Sequence, residues 1–237
     1  KENVQQNKFI FCHAEPRELL NIVKAISGLT NEVRFSITPY DISVCCLDPA
    51  NVCMINLKML SSGFIEYDTN NKSFDFALNL ENLCTILKAG NNKDTLELEG
   101  IHDNKINISF ISSSKSTFSL PIIELEEKEQ KRPELRFPVE ITLNKEILNN
   151  VIKKAAVIAE SLKFSAENKT LIFSAEGDLN KFSETIKEDG DTRININSPA
   201  AAKYPIEYLK KIVAFKSDEV KINFNTNYPL SIVYTKI

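Results

Sequence analysis

The sequence predicts an α+β protein built as two similar domains with antiparallel sheets. Three observations carry this. Four stretches have helical apolar spacing, and each is followed by segments in which apolar and polar residues alternate. The order strand, helix, strands, helix, strands over 9–120 returns over 139–234, and the β-α-β alternation of a parallel sheet is absent. Between the halves, 121–138 (PIIELEEKEQKRPELRFP) is dense in charge and holds three prolines, so it suits neither a helix nor a central strand. It reads as a linker. The domains are then 1–120, a connector at 121–138, and 139–237.

The first helix is expected at 16–29, where Leu19, Leu20, Ile22, Val23 and Ile26 form one broad apolar face. The second is expected at 80–89, capped by Asn79 and closed by Gly90, and the third at 145–161, capped by Asn144. Pro205 suits the first position of a fourth helix at 205–215. Period-two runs predict strands at 41–47, 52–59, 95–99, 105–110 and 116–120 in the first half. In the second half they fall at 141–143, 162–166, 170–175, 181–186, 193–197, 219–225 and 231–234. Tight hairpin turns are read at Glu167-Asn168 and Asp103-Asn104.

Composition excludes several function classes. Lys and Arg number 29 against 32 Asp and Glu, a net charge of −3, so an anionic partner must meet a local cluster of cations. No two of the six glycines lie within nine positions of each other, which rules out a phosphate-cradling P-loop and a dinucleotide fingerprint. The five cysteines, Cys12, Cys45, Cys46, Cys53 and Cys84, are odd in number and lack paired C-x-x-C spacing. They read as small buried hydrophobes in a reducing, intracellular compartment rather than as a disulfide framework or zinc site. No run approaches the ~18 apolar residues of a membrane span, and the start is polar. His13 and His102 stand in unrelated contexts without a nucleophile motif, and Glu188-Asp189-Gly190-Asp191 reads as a turn. No enzyme site, cofactor or metal is expected.

The segment 41–57 (DISVCCLDPANVCMINL) resembles the sliding clamps of the proliferating cell nuclear antigen family, most closely the archaeal type. D-P-A-N-V-x-M at 48–54 is followed by S-G-F-x-E-Y at 62–67 and by N-L-x-x-L-x-x-I-L-K at 79–88. Y-P-I-E-Y-L-K at 204–210 and P-L-S-I-V-Y at 229–234 follow in the family's order, so the resemblance covers about 8–237. It implies a DNA clamp fold whose subunits form a ring, normally a homotrimer, with sheets outside and two helices per domain inside. Such a ring encircles double-stranded DNA without regard to sequence. It tethers DNA polymerase and other proteins that carry a short hydrophobic docking motif, and a clamp loader opens it. The alternative within the resemblance is a clamp-like subunit of a heterotrimeric or checkpoint-type ring. The location implied is cytoplasmic, or nuclear in a eukaryote.

By the same resemblance, Lys24, Lys88, Lys153, Lys154, Lys210 and Lys211 on the helices would face DNA phosphates. Leu47, Val52 and Met54, with Pro133, Leu135 and Phe137 of the linker and Pro229, would receive the partners' motif. The linker departs from the family pattern in the charged run KEQKR at 128–132. The subunit interface would pair edge strands at 115–120 and 181–186, with Phe118, Leu120, Lys181, Ser183 and Thr185 at the joint. The family pattern continues past 231–234 into a further strand and a short tail. A chain stopping at Ile237 is expected to leave an exposed sheet edge and a weaker partner site, and residues 1–8 precede the family's usual start.

Overall fold

A computed structural model describes residues 9–13, 16–102, 104–125 and 134–235. The chain separates into two compact units, Lys1–Lys131 and Arg132–Ile237. The first runs β1 (Phe9–His13), α1 (Pro16–Ser27), β2 (Glu32–Ile37), β3 (Asp41–Leu47), β4 (Met54–Leu60), β5 (Glu66–Asp68), β6 (Phe74–Asn79), α2 (Leu80–Leu87), β7 (Thr95–His102), β8 (Lys105–Ile111) and β9 (Lys115–Pro121). Its strands form two antiparallel sheets, ordered β5-β1-β7-β8-β9 and β4-β3-β2-β6.

The second unit runs β10 (Val139–Asn144), α3 (Lys145–Ala155), β11 (Ser161–Glu167), β12 (Thr170–Glu176), β13 (Lys181–Lys187), β14 (Arg193–Ile196), β15 (Ala200–Pro205), α4 (Ile206–Ile212), β16 (Glu219–Phe224) and β17 (Ser231–Val233). Its sheets are ordered β14-β10-β16-β17 and β13-β12-β11-β15, again antiparallel. In each unit the two helices pack side by side.

Each helix forms because one face is apolar, and asparagine caps the start of two of them. Asn79 accepts the Asn82 N–H at 3.0 Å, and Asn144 accepts the Glu146 N–H at 2.8 Å. α3 buries Leu148, Val151, Ile152 and Ala155 almost completely. Cutting Leu148 to Ala would cost about 2–5 kcal/mol through the lost burial and the hole left behind. In the first unit, Phe9 and Phe11 of one sheet stack 4.7 Å apart, and Phe9 meets Phe74 and Phe76 of the other. In the second, Phe164 meets Phe173 of its own sheet edge-on and Phe224 of the other sheet edge-on, the latter contact joining the two sheets. The cysteines are free thiols, with Cys12, Cys46 and Cys84 buried and Cys45 and Cys53 half-buried.

Several expectations move. The third helix stops at Ala155 rather than 161, and Pro205 is the cap of α4 rather than its first residue. β4 begins at Met54, so Val52 belongs to the preceding loop. The β11–β12 turn is centred on Asn168 and Lys169, both at positive φ, not on Glu167-Asn168. Asn104 also has positive φ, while Asp103 lies outside the described residues. Gly90 does not cap α2 in a left-handed conformation. Instead it lets the Phe110 ring approach to 2.3 Å of where a Cβ would sit. Strands β2, β5, β6 and β15 add to those expected from the period-two runs, as does β1, expected only as the strand that opens 9–120.

Candidate nucleic-acid interface

The six lysines expected to face DNA all sit near helix C-termini. Lys24 closes α1, Lys88 caps α2, Lys153 and Lys154 end α3, and Lys210 and Lys211 end α4. A cation there complements the negative end of the helix dipole, so each contributes to helix stability whatever else it does. Two are engaged: Lys154 Nζ lies 2.7 Å from Glu184, and Lys211 lies 3.4 Å from Glu207 and over the Tyr208 ring. Lys24, Lys88, Lys153 and Lys210 are exposed, one on each helix, and have no carboxylate partner among the described residues. Arg17, exposed in the first turn of α1, is a further cation with no carboxylate partner among the described residues, and its place in the first turn sets it apart from the lysines at the helix ends.

The outward side of the five-stranded sheet is acidic. Glu66, Cys12 and Glu97 form one row across β5, β1 and β7, with Asp68, Ile10 and Glu99 in the next. Burial, then the Glu66 and Glu97 carboxylates, push the Cys12 thiol up to about 11. Cations on helices and carboxylates on a sheet explain how a chain of net charge −3 can still present a positive surface to a polyanion.

Of the expected docking residues, Leu47 and Met54 are half-buried and directly opposite each other at the end of the β3–β4 pair. The loop between them is wound around Asp48, which is 6% exposed. Asp48 Oδ1 accepts the Val52 and Cys53 N–H groups at 2.7 Å each, and Oδ2 accepts Ala50 N–H at 3.2 Å. Asn51 at positive φ completes the turn, and Val52 is left 61% exposed. In the second unit Leu135 and Phe137 are half-buried, Phe137 meets Tyr228 edge-on at 5.9 Å, and Pro229 is exposed. Pro133 lies outside the described residues.

β9 and β13 are each one of the two edge strands of their sheet, opposite β5 and β15. Phe118 is 39% exposed and touches Phe110 edge-on at 6.0 Å. Leu120, however, is 3% exposed and belongs to the first unit's core, so only its backbone is free to meet a neighbour. Lys181, Ser183 and Thr185 all face outward from β13, with Lys181 paired to Glu176. Beside β13 stand two further exposed apolar residues, Leu179 at 95% and Val157 at 81%. Gly177 lies against the Ile158 carbonyl, which brings their two turns together. Neither Leu179 nor Val157 belongs to a periodic pattern, so no sequence signal marks them.

Among the described residues no group of His, Cys, Asp and Glu could hold a metal ion, and no helix is long and apolar enough to cross a membrane.

The fold is that of a two-unit chain of the DNA clamp type. Residues 15–130 match the family model of the proliferating cell nuclear antigen N-terminal domain. The chain is 33% identical over 222 residues to the DNA polymerase sliding clamp of Thermococcus gammatolerans, covering 92% of this chain and 89% of that one. The DNA polymerase sliding clamp of Pyrococcus furiosus is 31% identical over the same shares. In structure it is similar to the proliferating cell nuclear antigen of Thermococcus kodakaraensis, with TM-score 0.91 at 24% identity, over 96% of this chain and 94% of that one. That of Entamoeba histolytica follows with TM-score 0.87 at 21% identity, over 94% and 92%. The chain belongs to the DNA polymerase sliding clamp family.

Proposed function

We propose that the chain works as a DNA sliding clamp, a processivity factor whose ring, normally of three copies, encircles duplex DNA and tethers polymerase and other DNA enzymes. Its hold on DNA is topological, which needs cations that attract phosphates without reading bases. Lys24, Lys88, Lys153 and Lys210 supply them, one per helix, and their freedom from carboxylates is the observation that supports this reading most. Lys154 and Lys211 contribute less, because Glu184 and Glu207 partly neutralise them. Partners carry a short hydrophobic motif, and the residues proposed for its docking are Val52 in the first unit and, separately, Leu135, Phe137 and Pro229 in the second. Ring closure pairs β9 of one copy with β13 of the next, and Phe118, Val157 and Leu179 lose their exposure there. A clamp loader supplies the energy for opening, and the chain itself does no chemistry.

The double variant Lys153→Glu with Lys210→Glu tests the DNA surface. Association with a duplex at low salt is expected to fall steeply, and the slope of log affinity against log salt to shrink by about 0.9 for each phosphate no longer neutralised. Unchanged association in a variant that keeps its native mass would remove these lysines from the DNA surface.

A further inference from the structure

The first unit encloses a cavity of about 50 Å³ between its two sheets and its two helices. α1 contributes Leu19 and Val23, α2 Leu83, one sheet Phe9 and Ile106, and the other sheet Phe76. Every lining side chain is aliphatic, methionine or phenylalanine, and no polar atom reaches the cavity. A water needs roughly two to four polar partners and would find none there, so the space favours an apolar occupant. The fold alone does not demand such a space. In the second unit, which repeats the order of elements, Leu148, Phe164, Phe173 and Phe224 are fully buried. In the first, Leu19, Phe35, Ile42 and Phe76 line the cavity, and each keeps 7–9% of its surface accessible. One core is filled by its own side chains, and the other leaves room for a guest. Leu57 and Met59 of the edge strand β4, with Phe64 after it, are only half-buried and form the side nearest solvent. Met59 can swing there about its three rotatable side-chain bonds, which gives a guest a way in.

We propose that this cavity is a binding site for one apolar molecule of gas size, such as xenon or a short alkane, and that the occupant stabilises the first unit. Volume sets the size limit. An engineered cavity of about 150 Å³ with a similar lining admits benzene, and this one has about a third of that volume. Stabilisation follows by linkage, because the site exists only in the folded chain. Binding here needs neither DNA nor a docked partner.

The full-length chain under xenon pressure tests this, with helium at equal pressure as the control. Methyl resonances of Val23, Leu83 and Ile106 are expected to shift saturably, while those of Leu148 and Val151 in the second unit stay in place. Val23→Ile adds one carbon to the lining and should weaken xenon binding about tenfold. Xenon should raise the thermal midpoint of the wild-type chain by about 2 °C, and that of Val23→Ala, whose cavity is larger, by more. Shifts that do not saturate, or that appear equally in both units, overturn the proposal. Equal xenon binding in the wild-type chain and Val23→Ile overturns it too. Should Val23→Ile fail to fold, Val23→Ala still decides, because a midpoint that xenon leaves unmoved in that variant overturns the site.

Discussion

Positive φ occurs at Asn51, Asn70, Asn71, Asn104, Asn168, Lys169 and Asn227 among the described residues, and at no glycine. Asparagine tolerates the left-handed region because its short side chain can bond locally, so a chain with six glycines still makes its tight turns. Lys169 has no such compensation. It occupies the second position of a two-residue turn in which both residues have positive φ, the place where glycine is preferred. Lys169→Gly is expected to stabilise the second unit by about 1 kcal/mol, read as a raised thermal midpoint. A lowered midpoint would show that its 3.8 Å ion pair with Glu188 outweighs the strain. Buried acids set a second residue-level behaviour. Burial, aided by Cys45 and Cys53, pushes the Cys46 thiol up to about 12, and burial likewise raises Tyr67 and Tyr204 to about 12. Unfolded values are near ~8.5 for Cys and ~10 for Tyr, so the native chain holds these protons more tightly. Their contribution is complete below about pH 8.5 and is lost as pH rises toward about 12. Melting followed by circular dichroism from about pH 8 upward should show a falling midpoint, and a smaller fall in Cys46→Val. A flat profile to about pH 11 would refute this.

At the scale of elements, the four helices were legible because their apolar spacing is regular and two of them carry Asn caps, yet their ends were not. The run after Ala155 keeps apolar residues, but it continues as turns in which Val157 points to solvent. β15 escapes a sequence reading because its alanines favour helix, and pairing with β11 overrides that preference. β5, three residues long, is too short to show a period. The candidate site was legible where it consists of lysines on recognisable helices. It was illegible at Val157 and Leu179, whose exposure is set by turns outside the regular elements. The Asp48 loop is an intermediate case, since D-P-A-N-V could be read but its wiring could not. Three backbone donors converge on one buried carboxylate, so Asp48→Asn gives up the charge and at least the bond to Ala50. Hydrogen bonds to a charged acceptor contribute about 1.5–3 kcal/mol each. The variant should therefore bind the hydrophobic-motif peptide at least several-fold more weakly while its helices and native mass persist. Equal affinity in Asp48→Asn would mean that Val52 needs no such support.

For the whole molecule, the repeat explains why one chain can offer two different edges. Each unit carries its own core and closes neither of its sheets, leaving β9 in one and β13 in the other with unpaired backbone. Two edges of different sequence make a head-to-tail contact, and such contacts either close into a ring or run on as a filament. Ring closure saturates every such edge, so a homotrimer of about 80 kDa, three times 26.8 kDa, is the expected species in light scattering. Phe118→Ala removes an aromatic side chain that is 39% exposed in the single chain, and Leu179→Glu places a charge where 95% of the residue is exposed. Neither should unfold a unit, because neither side chain is buried within one. Both should lower the mass toward a single subunit while the thermal midpoint of the separated chain is kept. The effect should persist in high salt, because backbone pairing and apolar contact are screened little, whereas the attraction of the helix lysines to phosphates should be salt-sensitive. A trimer that survives both substitutions would place the joint elsewhere on the surface. A wild-type monomer that gains mass only when mixed with unlike clamp subunits would assign the chain to a mixed ring, with the same edges choosing among partners rather than among identical copies.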